Sequence, residues 1–146
     1  MAKIYDERMH TAEHVLNQAM VRTFGCGRCF SAHINKKKSK CDYRFERPIT
    51  DAEAAALEAL VNEQLARDLP VREELLSRER AAREFDLSRL PEEAGDEVRI
   101  VRVGDFDACP CIGPHAASTA ELGQMRIISH DFENGVLRLR FKLDAS

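Results

Sequence analysis

Two short stretches carry residue types that could do chemistry together. His10-Thr11-Ala12-Glu13-His14 is an H-x3-H pair, and Cys111-Ile112-Gly113-Pro114-His115 is a C-x3-H pair about a hundred residues later. Three imidazoles and one thiolate form a donor set suited to Zn2+, which takes nitrogen and sulfur ligands at tetrahedral angles. Cys109 is either a further donor that can replace a ligand or a bystander. A closed four-ligand site would only staple two parts of the fold, whereas a catalytic one needs access for water or substrate. A rival set, Cys26, Cys29, His33 and Cys41, has the spacing of a zinc knuckle.

The elements that must position these residues can be read from periodicity. From about Asp6 to Phe24, residues Ala12, Val15, Leu16, Ala19 and Thr23 follow the spacing of an amphipathic helix. At about 100° per residue, His10 and His14 fall on the side away from that stripe, beside Asn17 and Gln18. Gly25-Cys26-Gly27 ends the helix. Two strands are expected at Cys29–Asn35 and Cys41–Glu46, joined by the loop Lys36-Lys37-Lys38-Ser39-Lys40. Alternation puts Cys29 and His33 in the polar set and Cys41 in the apolar set. A simple hairpin would therefore turn the knuckle residues to opposite faces, leaving free or buried thiols.

Thr50-Asp51-Ala52-Glu53 is a capping box opening a helix whose face is Leu57, Leu60, Val61, Leu65 and Leu69, stopped by Pro70. A strand at Val71–Leu76, a charged helix at Ser77–Phe85 and a long loop at Asp86–Gly95 follow. Glu97–Val103 is apolar enough for a strand buried on both faces. Gly113-Pro114 cannot extend a helix, so Cys111 and His115 sit on a turn. A strand near Met125–His130, the turn Asn134-Gly135 and a strictly alternating strand Val136–Leu143 close the chain. The expected fold class is α+β, an antiparallel sheet with helices packed on it, in a single domain over 1–146.

Composition limits the function classes. A chain of 146 residues that is 44% hydrophobic and 32% charged can bury its own core. No run approaches a membrane span, and the N-terminal stretch lacks an apolar signal core, so a cytoplasmic location is expected. Five cysteines in a reducing compartment favour metal ligation or free thiols over disulfides. The net charge of −3 does not advertise nucleic-acid binding, although Lys36, Lys37, Lys38 and Lys40, and Arg138, Arg140 and Lys142, form local basic clusters.

His10-x3-His14, Asp42 in a strand, Val61-Asn62, Pro70-Val71, the Val98–Asp105 strand and turn, and Cys111-x3-His115 occur in one order. In that order the chain resembles the editing domain of alanyl-tRNA synthetases and its free-standing relatives, the AlaX proteins. The resemblance implies a hydrolase that clears mischarged tRNA, with His10, His14, Cys111 and His115 as metal ligands and catalytic centre. The substrate implied is the serine ester of the alanine tRNA. A synthetase pocket for a small amino acid cannot reject serine by binding alone, so a second site must sense the hydroxyl. Thr11 and Ser31 are the nominated hydroxyl partners, with Gly113 beside them, and Lys36, Lys37, Lys38 and Lys40 would hold tRNA phosphate. The family typically reads Cys-Gly-Gly-Thr-His where this chain has Cys-Ile-Gly-Pro-His. Gly-Pro-His is closer to the editing domain of bacterial threonyl-tRNA synthetases, which implies the serine ester of the threonine tRNA as the alternative. With no aminoacylation domain in the sequence, editing would be in trans. A metal-stapled RNA-binding module without catalysis, and a hydrolase of another small aminoacyl ester or thioester, are the competing readings.

Overall fold

The computed structural model describes residues 7–85, 87, 96–111 and 113–144. The expected loop at Asp86–Gly95 lies, apart from Leu87, outside the described residues, as does Ile112. Helix α1 spans Glu7–Phe24 and α2 spans Asp51–Ala66. The capping box is formed as expected, with Thr50 accepting from the Glu53 amide and Glu53 reaching back to the Thr50 amide. The second helix ends at Ala66, so Leu69 packs into the core from the segment after it. The charged helix α3 is Arg78–Glu84, capped by Ser77.

The strands form two antiparallel sheets where one was expected. In the first, β1 (Ser31–His33), β2 (Ser39–Arg44), β7 (Val136–Asp144) and β6 (Gln124–Glu133) lie in the order β1-β2-β7-β6. In the second, β3 (Val71–Ser77), β4 (Glu97–Val103) and β5 (Asp107–Pro110) lie in that order. Alternation along a strand reveals its two faces but not its partners, which is why the division was invisible.

The alternation of β7 is obeyed. Leu137, Leu139 and Phe141 are fully buried with Cys41 and Tyr43 of β2, facing Ala12, Val15, Leu16 and Ala19 of α1 and Leu57, Val61 and Leu65 of α2. Each such side chain is worth about 1.5–3 kcal/mol of burial. Thr23 is exposed, and the helix stripe is completed by Met9 and Met20 instead. Strand β4 is buried on both faces, as Ile100 and Val101 are both inaccessible. Asn134 and Gly135 both take positive φ, making the tight turn between β6 and β7.

Two devices complete the frame. The free edge of β6 is capped by α2: Asn62 bonds both the amide and the carbonyl of Met125, and Glu58 accepts from the Ile127 amide. Gly104, at φ +53, turns the chain from β4 into β5 against Leu69. No helix of the described residues is long and apolar enough to cross a membrane.

Candidate metal centre

The polar side of α1 is a ridge of His10, His14, Gln18 and Arg22 at successive i+4 positions. That ridge is covered by the second sheet, so His10 and His14 face away from the apolar stripe yet are 8% and 3% exposed. Gln18 donates to Asp107 and Arg22 to the Phe106 carbonyl. Strand β5 then delivers the chain to Cys111 at the top of the same ridge. Arg99 fixes the turn there, its Nη1 donating to the carbonyls of Cys111 (3.1 Å) and Gly113 (2.6 Å), while Nη2 pairs with Glu73. The His10 ring lies close against Gly113, where a Cβ would stand 2.3 Å from its Cε1. Any side chain added at Gly113 would thus collide with that ring.

The four predicted donors come together. One ligand atom from each of His10, His14, Cys111 and His115 lies within 4.8 Å of the others. Cys111 Sγ is 3.4 Å from His10 Nε2 and 3.4 Å from His115 Nε2. Tetrahedral zinc, with bonds of about 2.0–2.1 Å to nitrogen and about 2.3 Å to sulfur, requires nitrogen–sulfur separations of about 3.5 Å. The fit extends to the outer nitrogens. His10 Nδ1 donates to the Pro114 carbonyl at 3.0 Å. Thr11 Oγ1 donates to the Glu7 carbonyl and accepts from the Ala116 amide, so its remaining lone pair accepts from His115 Nδ1 at 3.0 Å. His14 Nδ1 faces Cys109 Sγ at 3.1 Å and Asp107 Oδ2 at 3.5 Å. With every Nδ1 occupied outward, Nε2 is the nitrogen that each neutral ring would offer a cation.

The electrostatics favour a thiolate at the centre and, with no cation bound, a protonated His14 beside it. Burial would raise the Cys111 thiol, but hydrogen bonds from His10, His115 and His14 outweigh it and bring the pKa down to about 3. Burial opposes charge on His14, yet Asp107, Cys109 and Cys111 hold its pKa well above the ordinary 6.5. His115 is lowered, first by burial and then by the two neighbouring imidazoles, with Cys111 opposing. Burial would raise Asp107 too; His14 and Arg28 more than offset it and hold the carboxyl at about 2.

Other predicted residues are placed differently. The Thr11 hydroxyl has its proton and both lone pairs engaged, which leaves it nothing to offer a substrate hydroxyl. Ser31 pairs with Asp42, one step out of phase with Ala32 opposite the buried Cys41. Its side chain thus lies on the open sheet face with Asp42 and Arg138, away from the face that α1 covers. Lys36, Lys37 and Lys38 are exposed on the β1–β2 turn, and Lys38 and Lys40 line a cavity of about 340 Å3 with His33 and Arg140. Cys26, Cys29, His33 and Cys41 form no donor group among the described residues. The opposite-face argument fails for Cys29, however: it precedes β1 and is buried in the same core as Cys41, while His33 is exposed. Sequence reasoning missed Arg99, Arg28, Gln18 and Asp107. The one available signal was Gln18, four residues after His14.

The family described as "Threonyl and Alanyl tRNA synthetase second additional domain" matches residues 98–139, which include Cys111 and His115. The alanine–tRNA ligase of Methanopyrus kandleri is 33% identical over 142 residues, 92% of this chain and 15% of that protein. That of Treponema denticola is 32% identical over 137 residues, 92% of this chain and 23% of that protein. The chain thus spans less than a quarter of either relative's length. The resemblance read from H-x3-H and C-x3-H is borne out: over most of its length this chain is similar to a segment of alanine–tRNA ligases.

Proposed function

We propose that the protein is a metal-dependent aminoacyl-tRNA deacylase that removes serine from mischarged tRNA, with the alanine tRNA as substrate. The observation that carries this reading is the convergence of three outward-tethered imidazoles and the Cys111 thiolate in a relative of alanine–tRNA ligases. His10, His14, Cys111 and His115 would hold Zn2+, which when bound supplies Lewis-acid polarisation and charge for orienting an aminoacyl ester. Cys111 and His115 are only partly buried, unlike His10 and His14, so the cluster is approached from the turn side. There the carbonyls of Cys111 and Gly113 are tied to Arg99, which keeps the turn from collapsing over the entrance.

The Lys36–Lys40 loop and Arg140 supply cations for tRNA phosphate around a ready-made cavity. A cytoplasmic location goes with such a substrate. The test is a deacylation panel: zinc-loaded protein is incubated with serine and cognate esters of the alanine and threonine tRNAs. Faster loss of serine from the alanine tRNA than in buffer is expected. Preference for the threonine tRNA would assign the alternative substrate, a reading favoured by Gly113-Pro114 in the turn. No acceleration on any ester would refute the deacylase and leave a metal-stapled RNA-binding module.

A further inference from the structure

Next to the four-donor cluster lies a second group of metal-ligating residue types, His14, Asp107 and Cys109, all buried. It shares His14 with the first group and faces that ring's Nδ1, at 3.1 Å from Cys109 Sγ and 3.5 Å from Asp107 Oδ2. By residue type alone it could be a second cation site bridged through one imidazole, or a cradle that orients that imidazole.

The surroundings decide between them. Asp107 Oδ1 accepts from Gln18 Nε2 at 2.9 Å and from Arg28 Nη1 at 2.6 Å, and Oδ2 accepts from Arg28 Nη2 at 3.2 Å. The only carboxylate of the group is thus already paired with a guanidinium in direct contact. A cation placed there would meet that positive charge and find a neutralised ligand. A hydrogen-bond donor meets no such obstacle, and His14 Nδ1 is the donor present, between Cys109 Sγ and Asp107 Oδ2. The fold supplies this arrangement by register. Asp107 and Cys109 are two residues apart on β5, opposite the buried Val103 and Val101, so both point at α1. Gln18 stands one helical turn beyond His14 and braces the carboxylate.

We propose that Asp107 and Cys109 are positioning residues of the metal centre, a buried pair that holds the His14 Nδ1–H and aims its Nε2 at the cation shared with His10, Cys111 and His115. Arg28 and Gln18 act one step further out by fixing the Asp107 carboxylate. Such outer partners typically change metal affinity by about 10–100-fold. The inference rests on the metal reading above and adds the residues that make His14 a ligand.

The test is a double-mutant cycle on the full chain, with Zn2+ affinity read by competition with a chromophoric chelator. Asp107→Asn should weaken zinc by about 10–100-fold in the wild-type background. In a His14→Gln background it should change affinity by less than about threefold, because the residue through which it acts is gone. Cys109→Ala should also weaken binding, while the thiolate-to-Co2+ charge-transfer band keeps its wild-type intensity. Equal losses in both backgrounds would overturn the proposal in favour of a general structural role. A halved band in Cys109→Ala would overturn it by making Cys109 a ligand. A second equivalent of Co2+ that disappears in Asp107→Asn would overturn it in favour of a second cation site. If Asp107→Asn lacks folded circular dichroism, Gln18→Leu is run through the same cycle and must show a smaller loss that depends on His14. Wild-type protein that binds no zinc would sink the metal reading itself, whereas additive losses with zinc bound sink only this inference.

Discussion

Replacing Gly113 by alanine should empty the centre of one ligand. The added Cβ would stand 2.3 Å from Cε1 and 2.8 Å from Nδ1 of His10. Ordinary carbon contacts lie near 3.5–4.0 Å, so the imidazole must retreat by more than about 1 Å. Metal–ligand distances tolerate about 0.2 Å, and the ring therefore leaves the shell. Structural zinc sites bind with about 10–16 kcal/mol, and an equal share for one of four donors is about 3 kcal/mol, or a hundredfold or more in affinity. The assay is zinc competition with a chromophoric chelator, with Gly27→Ala as the control because nothing lies within 4 Å of a Cβ at Gly27. Wild-type affinity in Gly113→Ala, or an equal loss in Gly27→Ala, would refute the reasoning.

Thr11→Val keeps the volume and removes the hydroxyl that joins Glu7, His115 and Ala116; thermal denaturation should show a loss of about 2–3 kcal/mol, and an unchanged melting point would contradict the network. In chelator-treated protein at pH 6, iodoacetamide should label Cys111 first, because its pKa near 3 makes it a thiolate, while a hydrogen bond with Cys29 and burial push Cys41 up. Peptide mass spectrometry reads this, and equal labelling of both thiols would count against it. Asp107, held at about 2 against an ordinary 3.8, contributes stability that is present above about pH 4 and lost as pH falls to about 2. Acid titration of chelator-treated protein followed by circular dichroism should show about 2 kcal/mol less of that loss in Asp107→Asn, and identical acid curves would refute the assignment.

The four clustered donors were legible because metal chemistry dictates residue type and helices and turns dictate spacing. His10 and His14 needed only the period of α1, and Cys111 and His115 only the turn made by Gly113-Pro114. Their supporting residues were not. Asp107 sits in Gly-Asp-Phe-Asp, a composition that reads as a solvated turn, and Arg99 interrupts the apolar β4 like any outward residue. Strand β5 itself went unread because Pro110 ends a four-residue strand with little β-branched content. Cys29 misled for a related reason. Alternation was extended two residues beyond the point where β1 begins at Ser31, and outside a ladder the period of two no longer fixes direction.

The donors at positions 10 and 14 are separated by about a hundred residues of chain from those at 111 and 115. A cation joining them closes that loop in the folded protein as a covalent cross-link would. By polymer statistics a closure of this length restricts the unfolded chain by roughly 4–5 kcal/mol at equilibrium for a permanent link. A metal link is reversible, so the supply of a bound cation would become a thermodynamic control on how much folded protein exists. It also sets an order of events during synthesis: α1 must wait, with its polar ridge bare, until β5 and the turn beyond it have been made.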